Sequence, residues 1–133
     1  MKKDERNSKF DEYSTEELLN MPPEELMNAA AKKFVLDLPP SIDTIDNLNK
    51  LAKLMSKSIS EYSYLLNMAQ MARMRKRMLK RMRAGKDEIE DAMTREEIFE
   101  NYAEIMKAAY QAASRMITVK QQINEELKFT DAR

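Results

Sequence analysis

The last third of the chain shows a regular recurrence of apolar positions. From Ile98 to Leu127, apolar residues return every three or four positions, so on an α-helix they form one continuous stripe. The segment Thr94-Arg95-Glu96-Glu97 precedes this stripe with the spacing of a capping box, which satisfies free backbone amides at a helix start. The pattern predicts a helix over about residues 95–128, and it leaves residues 86–93 as a turn region with room for one helical turn.

A second apolar stripe runs along the segment before this turn, and it changes sides. Apolar positions from Leu48 to Ala69 share one helical face, but the straight continuation of that face falls on Arg73, Lys76 and Lys80. A mismatch between helical and apolar periods drifts by only about 20° per heptad. The switch near residues 66–71 therefore predicts either a bend or two different packing partners for the two halves, and we favour two partners.

Few residues in this long segment oppose helix formation. Ser41 or Asp43 can cap its start, and no glycine or proline follows until Ala84-Gly85. Gly85 is the only glycine of the chain, and its freedom to adopt a left-handed backbone conformation suits the position just past a helix end. The sequence therefore predicts a helix over about residues 42–84 that turns at Gly85 toward the last helix.

The N-terminal third carries shorter signals. Residues 1–13 are charged and lack an apolar period, which predicts a flexible tail. Ser14-Thr15-Glu16-Glu17 has the spacing of a capping box for a helix over about residues 15–20, and Pro23 suits the first turn of a helix over about residues 23–36. With the two long helices, these segments predict a single all-α domain over residues 14–133. Its architecture is a long antiparallel helical hairpin with two short N-terminal helices.

Composition removes most catalytic chemistry. The 133 residues contain no cysteine and no histidine, which excludes thiolate nucleophiles, imidazole acid–base catalysis and the usual zinc ligands. Asp87, Glu88, Glu90 and Asp91 lack the alternating oxygen ligands and central glycine of a calcium loop. No apolar run reaches the roughly 18 residues of a membrane span, and no signal-peptide core follows the charged start. We therefore expect a cytoplasmic protein that is not an enzyme, without a cofactor, a metal or a membrane partner.

Charge is strongly blocked although the net charge is zero. Residues 73–83 hold seven basic residues and no acidic one, whereas residues 87–100 carry a net charge of −6. On a helix, six of the seven basic residues spread over roughly 160° opposite a stripe of methionines, and only Arg75 lies on the methionine side. The six residues, which we call the basic strip, are Arg73, Lys76, Arg77, Lys80, Arg81 and Arg83.

Two interpretations of the basic strip stay open. In the first, Lys76, Lys80 and Arg83 pair across the hairpin with acidic residues of the last helix and fix its register. Those acidic residues are Glu96, Glu97, Glu100 and Glu104. In the second, several of the six basic groups hold the phosphates of single-stranded DNA or RNA, which makes affinity steeply salt-dependent. An acidic protein partner and an anionic membrane surface are further alternatives.

The methionine stripe consists of Met71, Met74, Met78 and Met82. Unbranched thioethers fill irregular gaps in a core, and they also adapt at contact surfaces. We interpret the stripe as core or subunit interface and expect a homo-oligomer, because a lone hairpin cannot cover apolar stripes on both sides of its long helix. Tyr64 and Tyr110 are candidates for stacking on bases, whereas helical spacing places Tyr62 and Tyr102 on the apolar stripes.

The order of these features resembles small helical phage recombination mediators of the T4 UvsY type. The resemblance covers about residues 48–129: a tyrosine-bearing long helix with a basic end, a short charged turn, and a second long helix that includes the segment from Arg115 to Ile123. It implies an oligomeric protein without enzyme activity that binds single-stranded DNA and helps to load a recombinase. The positions that would correspond to DNA contacts are Arg73, Lys76, Arg77, Lys80, Arg81 and Lys120. A protein-only oligomeric adaptor, virion component or inhibitor is the alternative.

Overall fold

The computed structural model describes residues 10–36 and 45–131, and it describes the side chains of the last helix up to residue 127. Regular secondary structure in this part of the chain is entirely α-helical. The helices are α1 (Thr15–Asn20), α2 (Pro23–Lys33), α3 (Ile45–Arg81) and α4 (Lys86–Asp131). The two long helices pack against each other as a hairpin, so the prediction of an all-α helical hairpin with two short N-terminal helices is confirmed. The predicted start of α3 near residue 42 lies outside the described residues.

The two short helices begin as their capping signals predict. Ser14 Oγ accepts a hydrogen bond from the Glu17 amide at 3.1 Å, and Glu17 Oε1 accepts one from the Ser14 amide at 3.0 Å. Pro23 occupies the first turn of α2. The predicted end of α2 at residue 36 is wrong, because the helix ends at Lys33 and Phe34 leaves the helical conformation. Phe34 instead buries its ring, with centroids 5.2 Å from Phe10 and 5.6 Å from Tyr102.

Residue 10 also corrects the predicted tail over residues 1–13. Phe10 is buried, with 3% of its surface exposed, and its ring packs edge-on against Phe34 and Tyr64. Asp11 lies 3.1 Å from the Lys33 ammonium. A single aromatic residue in a charged segment is therefore enough to anchor its end to the core. Residues 1–9 lie outside the described part of the chain.

The turn between the long helices differs from the prediction in two ways. Arg83, rather than Gly85, takes the left-handed conformation, with φ of 55°. The Ala84 amide donates to the Leu79 carbonyl at 3.0 Å and the Arg83 amide donates to the Lys80 carbonyl at 3.2 Å, the two hydrogen bonds of a Schellman motif. Gly85 caps the next helix, because its carbonyl accepts the Ile89 amide at 3.1 Å.

The last helix consequently starts earlier than predicted. Helix α4 begins at Lys86, so residues 86–93 are helical and the predicted start near residue 95 is wrong. Thr94 lies inside the helix, where its hydroxyl donates to the Glu90 carbonyl at 3.0 Å instead of capping a helix start. The capping-box sequence that begins at Thr94 therefore does not mark a helix start, because the residues before it are already helical.

The buried face of α3 does not change sides. Its buried positions lie within about 100° of one another around the helix axis, and the last two of them along the helix are alanines. They are Leu51, Leu54, Ser58, Leu65, Met68, Ala69 and Ala72. Ile59 and Leu66, which the sequence pattern placed on the buried stripe, are 44% and 39% exposed. The predicted switch near residues 66–71 is therefore wrong: the methionines form a separate, exposed stripe.

The contacts group the chain into two compact units. Of the described residues, the first contains 10–35 and 62–104, and its largest fully buried side chains are Leu18, Leu26, Leu65 and Phe99. Arg95 of α4 donates to the Met21 carbonyl at 3.0 Å, which satisfies the backbone between α1 and α2. The second unit contains residue 36 and, further along the described chain, residues 45–61 and 105–131. Its core is formed by Leu51, Leu54 and Ala113, with Leu36, Met55, Met116 and Ile117 packed around them.

Candidate functional site

Two residues of the basic strip are paired across the hairpin. Arg73 donates to Glu96 at 2.8 Å and to Glu100 at 3.1 Å, and the Lys76 ammonium donates to Glu96 at 2.5 Å. Burial opposes ionisation of the Glu96 carboxyl, but the hydrogen bonds from Arg73 and Lys76 outweigh it and lower the pKa of Glu96 to about 2. The register-fixing interpretation is thus confirmed for Lys76.

The same interpretation is wrong for Lys80 and Arg83. Because α4 begins at Lys86, Glu96 lies well inside the helix and meets α3 at the level of residues 73 and 76. Neither Lys80 nor Arg83 has a carboxylate partner among the described residues. Because α4 starts nine residues earlier than predicted, Glu96 and Glu100 pair with Arg73 and Lys76 and not with Lys80 or Arg83.

Arg75 connects α3 to the first short helix. Its guanidinium donates to both carboxylate oxygens of Glu16 at 2.8 Å and to the Asn20 side chain at 2.7 Å. The hydrogen bond from Arg75 lowers the pKa of Glu16. The helical pattern had set Arg75 apart on the methionine side, but it did not reveal Glu16 and Asn20 as partners. The acidic residues Glu16 and Glu17 of the capping segment are the sequence signal that could have indicated a basic partner for α1.

Four residues of the basic strip have no carboxylate partner in the part of the chain that the structure describes. Arg77, Lys80, Arg81 and Arg83 are exposed, and none of them forms an ion pair within the described part of the chain. Residues three and four apart on a helix are neighbours, at about 5–6 Å between Cβ atoms. Arg77, Lys80 and Arg81 therefore form one cluster, and Arg83 follows it in the turn. We call these four residues the unpaired cations.

Lys120 is the predicted nucleic-acid contact outside the basic strip. It lies on α4 in the second compact unit and is half-buried, with interactions of its own. Its predicted role in nucleic-acid binding stays a prediction.

The methionine stripe lies on the surface of this chain. Met71, Met74, Met78 and Met82 are 42%, 68%, 48% and 69% exposed. They are not core residues of a single chain, so the core interpretation is wrong, and the predicted role in a subunit interface stays a prediction. The first three methionines line a groove of about 490 Å³ together with Glu16, Leu19, Arg75, Arg77 and Arg81.

The tyrosines offer little for base stacking. Tyr64 is partly exposed, but its ring lies 6.2 Å from that of Phe10, and desolvation raises the pKa of its hydroxyl. Tyr102 packs beside Phe34, in line with its predicted place on an apolar stripe. Tyr62 and Tyr110 are half-buried. Any nucleic-acid binding at the unpaired cations therefore depends mainly on phosphate contacts.

Other site types find no support in the described residues. No group of three or more acidic side chains there is arranged to hold a metal ion. None of the helices in that part of the chain combines the length and apolar composition that crossing a bilayer requires. Comparisons with protein-family models, curated proteins and solved structures found no match.

Proposed function

We propose that this chain is a binding protein without enzyme activity that holds single-stranded nucleic acid through the unpaired cations. One observation carries the proposal: the neighbouring basic residues Arg73, Arg75 and Lys76 are all bound to carboxylates, whereas the four that follow have no carboxylate partner among the described residues. Four exposed positive charges at one end of a helix repel each other, and a polyanion relieves that repulsion. Phosphate contacts to such a cluster release counterions, which supplies the binding free energy.

The resemblance to phage recombination mediators makes single-stranded DNA the first ligand to test. In that role the protein acts as an accessory that holds DNA for a recombinase, and the unpaired cations are its contact residues. The three paired basic residues have a different role, because their bonds to Glu16, Glu96 and Glu100 fix the helices that present the cluster. This division narrows the predicted contact set from the whole basic strip to its end.

The test is equilibrium binding of a fluorescent oligo(dT) to the full chain, followed by anisotropy. Replacing the four unpaired cations together, as Arg77→Gln, Lys80→Gln, Arg81→Gln and Arg83→Gln, should weaken binding by at least about 50-fold at low salt. The matched control changes four exposed lysines elsewhere to glutamine, which removes the same total charge. These lysines are Lys32, Lys50, Lys53 and Lys107. An equal loss in both variants would mean that binding reflects total charge and not this cluster.

A protein-only adaptor, virion component or inhibitor is the second candidate function, and the exposed methionine stripe favours it. Exposed apolar stripes beside polar rims mark contact surfaces for other chains. Under this candidate the wild-type protein binds a protein partner and shows no salt-dependent affinity for oligo(dT) or oligo(U). Light scattering at tens of micromolar measures whether the partner is another copy of the same chain.

A further inference from the structure

The groove beside α1 has an apolar floor and an asymmetric charged edge. Leu19, Met71, Met74 and Met78 supply the floor. Its volume of about 490 Å³ falls in the range of about 300–1,000 Å³ that is usual for ligand sites. Methionine side chains are flexible and polarisable, so a floor built from them adapts to aliphatic side chains of different shapes.

The charges around this groove do not balance. Glu16 is the only carboxylate among the described residues that line it, and Arg75 occupies both oxygens of that carboxylate at 2.8 Å. Arg77 and Arg81 then line the groove without a carboxylate partner among the described residues. They are one helical turn apart and therefore lie on the same edge. The groove thus combines apolar surface with a surplus of two positive charges along one side.

We propose that this groove binds an acidic amphipathic helix of a protein partner. Apolar side chains of the partner pack on the methionines and Leu19, and two of its carboxylates pair with Arg77 and Arg81. The lining residues of α3 run from Met71 to Arg81, which corresponds to about 15 Å at 1.5 Å per residue. The matching partner segment has about three helical turns, with apolar residues at i, i+3, i+4 and i+7 and glutamates beside them.

Two other occupants fit these features less well. A second copy of this chain brings the same surplus of arginines, so a two-fold pairing places like charges in contact. Single-stranded nucleic acid satisfies the arginines, but its bases need planar rings for stacking, and the described part of the groove lining contains no aromatic residue. An acidic helix satisfies the floor and the edge at once. This ligand is additional to the nucleic acid proposed above, and it engages Arg77 and Arg81 but not Lys80 or Arg83.

The experiment uses the full chain and a labelled synthetic peptide of about four helical turns, with leucines on one face and glutamates beside them. The control peptide has the same composition in scrambled order, so its leucines surround the helix. Wild-type protein should bind the amphipathic peptide at least about tenfold more tightly than the scrambled one. Met74→Gln with Met78→Gln, and separately Arg77→Gln with Arg81→Gln, should each weaken peptide binding by about tenfold or more.

The matched control variant is Lys80→Gln with Arg83→Gln, which removes the same charge as the arginine pair but lies outside the groove lining. It should change peptide affinity by less than about twofold, whereas it should weaken oligo(dT) binding if the proposed function is correct. The two proposals therefore fail separately. Circular dichroism of each variant checks that the fold is intact, which we expect because Met74 and Met78 are exposed.

Four outcomes would overturn the inference. Equal binding of the two peptides would show that only charge is recognised. Unchanged peptide affinity in the Met74→Gln and Met78→Gln variant would show that the groove floor is not used. A stable dimer of the wild-type chain that disappears in this variant would assign the groove to a second copy. Oligo(dT) affinity that depends on these methionines, without methionine-dependent peptide binding, would assign the groove to nucleic acid.

Discussion

Arg83→Gly and Gly85→Ala together test which residue of the turn takes the left-handed conformation. Arg83 has φ of 55°, a conformation in which a Cβ atom crowds the following carbonyl oxygen. Gly85 has no positive φ, and a Cβ atom placed on it meets nothing within 4 Å. Arg83→Gly therefore removes strain at a position that the sequence pattern did not mark. Gly85→Ala fills open space at a position that the pattern marked as requiring glycine.

The expected magnitudes follow from backbone terms of opposite sign. Relief of the left-handed conformation at Arg83 contributes about 1–2 kcal/mol, and the added freedom of glycine in the unfolded chain costs about 0.4–1 kcal/mol. The net gain for Arg83→Gly is about 0.5–1 kcal/mol. Gly85→Ala restricts the unfolded chain, which stabilises by about 0.4–1 kcal/mol, but alanine caps the start of α4 less well than glycine by roughly 0.5 kcal/mol. The net change for Gly85→Ala should therefore lie within about 0.5 kcal/mol of zero. Arg83→Ala is the matched control, since it removes the side chain but keeps the Cβ atom, and no gain is expected from it.

Urea unfolding followed by circular dichroism at 222 nm measures these free energies, provided that the slope with denaturant is unchanged among variants. A loss of about 1 kcal/mol or more in Gly85→Ala, with no gain in Arg83→Gly, would refute the turn described above. That pair of results would return the left-handed position to Gly85. Equal gains in Arg83→Gly and Arg83→Ala would instead attribute the effect to the side-chain charge.

Four further substitutions test the packing and electrostatics. The pKa of Glu96 is lowered from 4.5 to about 2, so ionised Glu96 stabilises the folded state above about pH 4.5 and this contribution is lost as the pH falls toward 2. Glu96→Gln should therefore flatten the loss of stability in that pH window, and an unchanged acid titration of stability would contradict the ion-pair network. The Ser58 hydroxyl is fully buried without a hydrogen-bond partner among the described residues. Ser58→Ala should therefore leave the unfolding free energy unchanged or raise it by up to about 1 kcal/mol. A clear loss of unfolding free energy would show that the hydroxyl does have a hydrogen-bond partner. Leu65→Ala should cost about 2–5 kcal/mol and Met74→Ala less than about 0.5 kcal/mol, and similar losses at both sites would contradict the exposure of the methionine stripe.

Local sequence signals identified the helices and misplaced some of their ends. The Ser14 capping box and Pro23 acted where they stand, because the residues before them do not continue a helix. The similar letters from Thr94 did not start a helix, because residues 86–93 also favour helix and Gly85 supplies the cap. Arg83 takes the left-handed conformation because the Schellman hydrogen bonds from the Arg83 and Ala84 amides place it just past the end of α3.

The buried face of α3 was harder to predict than the helix itself. Ser58, Ala69 and Ala72 occupy the contact face, while Ile59 and Leu66 face solvent. A pattern that weights side chains by hydrophobicity therefore rotates the predicted face toward the larger residues. Small residues are accommodated where helices approach closely, and only the packing partner reveals this preference.

The sequence predicted which residue types form the candidate site, but it did not predict which of the basic residues are paired with carboxylates. Sequence alone identified the basic strip and the methionine stripe. It did not show that Arg73 and Lys76 both pair with Glu96, because that pairing depends on the register of the hairpin. It also did not show the groove, because α1 reaches the methionine side through the bond between Arg75 and Glu16.

The salt dependence of oligo(dT) binding tests the central proposal most directly. Four phosphate contacts at about 0.7 unit each predict a slope of about −2.8 for the logarithm of affinity against the logarithm of salt concentration, or roughly a 50-fold loss between 50 and 200 mM salt. Replacing all four unpaired cations with glutamine should bring this slope close to zero, while the matched variant at Lys32, Lys50, Lys53 and Lys107 should keep it. No measurable binding of the wild-type protein at 50 mM salt, or the same slope in both variants, would contradict the proposal that these four cations hold nucleic acid.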